Sequence, residues 1–187
     1  MGFRYSALVL GFLLVSCGSS PKTHFYTLDA VPSGQVTAGS AHIRQPIQVG
    51  HVDLPGTLDR LPVVTRASGD RLNVSDQDRW AAPLDELIRR ALTQDLRKRL
   101  SPGDVLAPGD PSPPNTRTLT LNVQQFMANE SGQVEFDVDW ALQQKGKPAS
   151  TRHEMIQADA GSQNGEAIAA AMSRALSELA DRISAAL

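Results

Sequence analysis

Three carboxylates share one face of a strand-like stretch. In QVEFDVDWALQQ, Glu135, Asp137 and Asp139 alternate with Val134, Phe136, Val138, Trp140 and Leu142. Steps of two residues put neighbouring acids about 7 Å apart on the same side. That spacing suits a bound cation or the paired carboxylates of a glycosidase. It equally suits a solvated face that keeps an exposed strand from aggregating, which is the simpler reading, and such a face can also meet a basic partner surface. The four histidines, His24, His42, His51 and His153, have no i,i+4 partners and no neighbouring cysteine, so zinc-ligand spacing is missing. His51 sits within a predicted strand and reads as structural. There is no Gly-x-Ser-x-Gly elbow, no Walker loop and no dinucleotide fingerprint. The expectation is a protein that is not an enzyme and holds no metal.

The chain has a single cysteine, so an internal disulfide is excluded. That residue, Cys17, ends the stretch MGFRYSALVLGFLLVSC. Arg4 gives a positive start, and Tyr5 to Val15 is uncharged and mostly apolar. The run falls short of the about 20 apolar residues a spanning helix needs and reads as an export signal. Leu14-Val15-Ser16-Cys17 resembles a bacterial lipobox, with a branched apolar residue three before the cysteine and a small one directly before it. Residues 1–16 are then a lipoprotein signal peptide. Cys17 becomes the lipidation site, carrying a diacylglycerol and an N-acyl chain, with no other cofactor expected. Gly18 in place of Asp after the cysteine resembles the outer-membrane sorting class. The competing reading is an incidental cysteine in an N-terminal helix.

These residues need a domain to carry them. The chain has 187 residues, is 41% hydrophobic and 20% charged, and bears a formal net charge of −2. A mature chain of this length can bury a core without disulfide or metal, and the charge argues against a nucleic-acid partner. Residues 17–24 read as a lipidated tether. Phe25 to Leu28 has strand composition, as do PIQVGHVDLP, LPVVTRA and RLNVS, the last two joined by a turn at Ala67 to Arg71. In the first of these, Ile47, Val49 and His51 are expected on one face. Helical spacing of Trp80, Leu84, Leu87, Ile88, Ala91, Leu92, Leu96 and Leu100 predicts a helix over about 78–100. Ser75 or Asp76 would cap it, and Pro83 would fall in its first turn. Arg97, Lys98 and Arg99 suit the negative helix end on a solvated face. The five-proline segment 101–116 reads as a solvated connector. Strands TRTLTLNVQQFMA, QVEFDVDWALQQ and 150–158 follow, then a helix over about 164–186. Its apolar stripe suits core packing better than lying on a membrane, which would want a more basic polar face. The fold class expected is α+β: a single domain over 25–187, with a mostly antiparallel or mixed sheet and two helices packed on one face.

Residues 49–100 also resemble the PqiC/YmbA family, the ABC-type transport auxiliary lipoproteins. The pieces that match are Val52-x-Leu54-Pro55, Leu58-Asp59-Arg60, Val63-Val64-Thr65-Arg66, Leu72 and Arg79-Trp80-Ala81-x-Pro83-Leu84. Upstream, Phe25-Tyr26-Thr27-Leu28 soon after the lipobox cysteine resembles the family's opening strand. The resemblance implies a lipid-anchored protein on the periplasmic face of the outer membrane, without covalent chemistry. It implies an accessory subunit of an MCE-type lipid-trafficking system that docks a periplasmic MCE-domain protein as a ring-like homo-oligomer. Leu54, Pro55, Leu58, Asp59 and Arg60 would then form a contact loop. Trp80 is either a contact anchor or a core residue at the first helical turn. An outer-membrane assembly factor, a solute-binding lipoprotein and a hydrolase of unrecognised site are the alternatives.

Overall fold

The structure is a computed structural model and describes residues 21–32, 43–107, 109–144, 146 and 149–187. The lipobox, Cys17 and His42 lie outside the described residues. In chain order the elements are β1 (His24–Tyr26), β2 (Ile47–Asp53), β3 (Pro62–Arg66), β4 (Leu72–Trp80), α1 (Leu84–Arg99), β5 (Val105–Leu106), β6 (Arg117–Ala128), β7 (Gln133–Gln143), β8 (Ser150–Asp159) and α2 (Gly165–Ala185). All eight strands join one mixed sheet, so the fold is the expected α+β domain with two helices.

The strongest sequence alternation builds the antiparallel half. β6 pairs with β7 and β7 with β8. Val134, Phe136, Val138 and Trp140 turn to the core, and Phe126 stacks on Phe136 with ring centroids 4.1 Å apart. The other edge of β6 is shared. β2 runs parallel to its first half, from Ile47 opposite Arg117 to Asp53 opposite Asn122. β3 then runs parallel to its end, with Thr65 opposite Ala128. β4 returns antiparallel to β3, and β1 adds to β4 in parallel.

Five local expectations need correction. Residues 72–80 form a strand, so the helix starts at Leu84 behind Pro83, and Trp80 closes β4. Ser75 caps no helix. Its hydroxyl accepts the amides of Gln77 and Asp78 at 3.3 and 2.9 Å, where β4 bulges against β3. In β2 the register slips by one residue between Val49 and Val52, so Val52 enters the core and His51 faces solvent. The proline-rich connector also holds a two-residue strand, β5, parallel to β2, with Val105 buried. Finally, the basic end of α1 is solvated only in part, with Arg97 and Lys98 exposed. Arg97 donates to the Val105 carbonyl at 3.1 Å, Lys98 to the Ala30 carbonyl at 2.7 Å, and Arg99 is buried.

α2 begins at Asn164, whose side chain accepts the Ala167 amide at 2.8 Å. Its small residues Ala171, Ala175 and Ala180 are buried, which lets it lie close to the sheet and α1. Gly165 shows how tight the approach is. A β-carbon there would stand 2.5 and 2.8 Å from Cε2 and Cζ of Tyr26, whose hydroxyl donates to Asp78 at 3.2 Å. Gly165→Ala is therefore expected to lower stability by about 1–3 kcal/mol through overpacking. Urea unfolding checks it, and an unchanged or raised midpoint would contradict the clash.

Candidate functional site

The contact loop predicted from sequence folds on itself after β2. The Pro55 carbonyl accepts the amides of Leu58 and Asp59 at 2.8 and 3.1 Å, and the Leu58 carbonyl accepts the Arg60 amide at 2.8 Å. Arg60 closes the loop by donating to the Gly56 carbonyl at 3.1 Å. Leu58 and Trp80 are both buried and join the same core. The Trp80 amide donates to the Leu61 carbonyl at 2.7 Å, tying the end of β4 to the end of the loop. Of the six residues singled out, the structure therefore displays Asp59 and Arg60 outward, with Leu54 and Pro55 half-buried. Leu61 stands exposed beside them, although LPVVTRA reads from sequence as a strand that begins at Leu61.

The acidic row of β7 does not converge on one site: Glu135 and Asp139 each have hydrogen-bond partners of their own, while the buried Asp137 Oδ1 has none. Glu135 accepts from Gln125 and, at 3.2 Å, from Asn129. Asp139 and Asp137 both face His153, at 3.0 and 3.6 Å. Among the described residues no group of three or more His, Cys, Asp or Glu side chains is placed to hold a metal ion. The β8 histidine across from Asp139 could have been anticipated only from the β7–β8 register.

A third arrangement links the start of the chain to the helices. Residues 27–31 cross α1 and α2 and are pinned at several points. Arg90 donates to the Thr27 hydroxyl at 2.6 Å, the Asp29 amide to the Ser173 hydroxyl at 3.2 Å, and Lys98 to the Ala30 carbonyl. Leu28 sits in the core between them. Beneath lies a buried polar knot. Arg99 of α1 donates to Asp181 at 2.6 Å and to the Ser177 carbonyl and hydroxyl at 2.9 and 2.8 Å, all on α2, and to Asp95 at 3.4 Å. Desolvation pushes the Asp95 carboxyl up to about 6, against the opposing pull of Arg99 and Lys98. No sequence signal pointed to this knot, since its members come from two helices 78 to 82 positions apart.

What these features define is a small α+β domain whose first strand is tied to its helical layer just after a lipobox-like segment. Solved structures share this fold. A crystal structure of an uncharacterised protein superposes with a TM-score of 0.74 at 18% identity, covering 89% of this chain and 99% of that one. Another, from Xanthomonas campestris, gives 0.69 at 16% identity over 87% of this chain and 93% of its own. Residues 26–184 match the family described as the ABC-type transport auxiliary lipoprotein component, and the chain belongs to that family. Relatives include the intermembrane transport lipoprotein PqiC of Escherichia coli K12 and its namesake of Shigella flexneri. Each is 28% identical over 145 residues, 77% of this chain and 76% of the relative. Among the described residues no helix is long and apolar enough to cross a membrane.

Proposed function

We propose that the protein is a non-enzymatic lipoprotein subunit of an intermembrane lipid-transport system, anchored through acylated Cys17 on the periplasmic face of the outer membrane. There it docks the far end of a tunnel formed by a periplasmic MCE-domain protein, as a ring-like homo-oligomer, and so supports the integrity of the envelope. The observation that carries the reading is the family match over 26–184, with relatives that are themselves named intermembrane transport lipoproteins. Residues 1–16 act as the signal peptide, 17–24 as the lipidated tether and 25–187 as the docking domain. The loop that displays Asp59, Arg60 and Leu61 is a compact, preformed surface, which lowers the ordering cost of a contact.

Cross-linking from position 60 in intact cells, followed by mass spectrometry, tests the docking. Links to a periplasmic MCE-domain protein are expected, together with links between copies of the chain. Recovery of a barrel-assembly partner alone, or of strict monomers at high concentration, would overturn the partner and oligomer assignments respectively.

A further inference from the structure

We propose that the edge of the domain at β1 rests on the lipid bilayer, with the Phe25 ring seated at the boundary between headgroups and acyl chains. The proposal rests on the anchoring of Cys17 given above and adds an orientation to it. Phe25 is the most exposed of the large apolar side chains among the described residues, at 65%. It is also the first large apolar residue after Cys17, since Gly18, Ser19, Ser20, Pro21, Lys22, Thr23 and His24 stand between them. Eight steps of fully extended chain reach at most about 29 Å. Wherever the acylated cysteine enters the bilayer, Phe25 is held within that radius of it, while the remote edge of the sheet at β8 is not so constrained.

The surroundings match a membrane surface in chemistry. Arg79 is the cross-strand partner of Phe25, so the two side chains share one face of the sheet, and Arg79 is exposed. Lys22 is exposed three residues before Phe25. An aromatic ring flanked by long basic side chains is the arrangement that settles at a bilayer interface, with the ring below the headgroups and the cations at the phosphates. Beside Phe25 opens a groove of about 490 Å³, walled in part by Tyr26, Val31, Ala169 and Ala170. It adds apolar surface between β1 and α2, and its rim carries the exposed acids Asp29 and Glu166 together with Arg174. Asp78, beside Arg79 on β4, is half-buried and hydrogen-bonded with His24 and Tyr26, each at 3.2 Å.

The test uses the full acylated protein in vesicles of phosphatidylethanolamine and phosphatidylglycerol. Because Cys17 is the sole cysteine, a Phe25→Cys variant offers one reactive thiol once Cys17 is acylated. Leu72→Cys and Met155→Cys, also exposed, report other parts of the surface. An environment-sensitive dye at position 25 is expected to shift to the blue and to be quenched by nitroxide-bearing lipids, while dyes at 72 and 155 stay water-like. Equal, water-like signals at all three positions, with the wild type refusing the dye, would overturn the orientation and leave the anchor standing. Labelling of the wild-type protein at Cys17 would instead overturn the anchor, and the orientation with it. Protection of position 25 only after a partner protein is added would assign the face to that protein and reject the bilayer.

Discussion

Replacing Cys17 with alanine is expected to shift the protein from the membrane fraction to the soluble fraction and to abolish incorporation of labelled fatty acid. A single acyl chain binds a bilayer with a constant of only about 10⁴ M⁻¹, and each buried methylene contributes about 0.8 kcal/mol. Three chains on one residue would therefore hold the protein for practical purposes, and losing their attachment point would remove all of that at once. The fold should not notice. In chain order the first core residue among those described is Leu28, well past the cysteine. Thermal unfolding of the variant is thus expected to match that of the wild type. Unchanged membrane fractionation of Cys17→Ala would sink the lipoprotein assignment. A lower unfolding temperature would instead show that the thiol packs against the domain.

The parts of this fold that could be read in advance are those whose local pattern and tertiary role coincide. β7 alternates strictly between apolar and polar residues and lies with one face on the core. α2 repeats its apolar stripe over five turns and begins at Asn164, where the sequence pattern placed its start. β4 could not be read this way. Nearly all of its residues are exposed or half-buried, so it has no alternation to show, and its polar SDQD stretch imitates a helix start. Trp80 then appears in helical spacing with Leu84 and Leu87, although it is buried from the end of a strand. β5 is too short to have a period. It exists because the Ile47 amide reaches the Asp104 carbonyl at 2.8 Å, a contact between segments 57 positions apart. Parallel pairings such as β2 with β6 and β1 with β4 are likewise set by long-range closure, which no local pattern encodes.

The candidate site divides along the same line. The order of short pieces from Val52 to Leu84 was enough to suggest the family, because order and spacing are properties of sequence. Which pieces face outward was not legible. Leu58 and Trp80 look like anchors in a list of residue types, yet each fills the core of its own chain. Phe25 looked like an ordinary strand residue and stands exposed, because β1 is only three residues long and sits at the sheet edge.

The largest loss of stability is expected from Arg99→Met. The guanidinium is buried, at 1% exposure, and five hydrogen bonds fasten α1 to α2 and to its own preceding turn. Removing it strands the buried Asp95, one of whose oxygens, Oδ2, already has no hydrogen-bond partner. Breaking a buried pair from one side costs about 3–5 kcal/mol, so the urea midpoint should fall sharply at an unchanged slope. Asp95 itself gives the complementary test. Its carboxyl sits at about 6 in the fold, raised by desolvation from 3.8. Between those values the folded chain holds a proton that the unfolded chain has released. This group's contribution to stability is therefore most favourable at low pH, declines as pH rises from about 4 to about 6, and stays low above that. At about 1.4 kcal/mol per pKa unit, the decline amounts to no more than roughly 3 kcal/mol. Asp95→Asn is expected to erase that part of the pH dependence and to equal or exceed the wild type in stability at pH 7. Placed in the Arg99→Met background it should recover part of the loss, because the two residues share one interaction. Difference curves of wild type minus Asp95→Asn isolate the effect from the exposed acids. A difference that is flat from pH 4 to 7, or one that grows with pH, would show that Arg99 holds Asp95 ionised throughout and that the knot is a fully compensated ion pair.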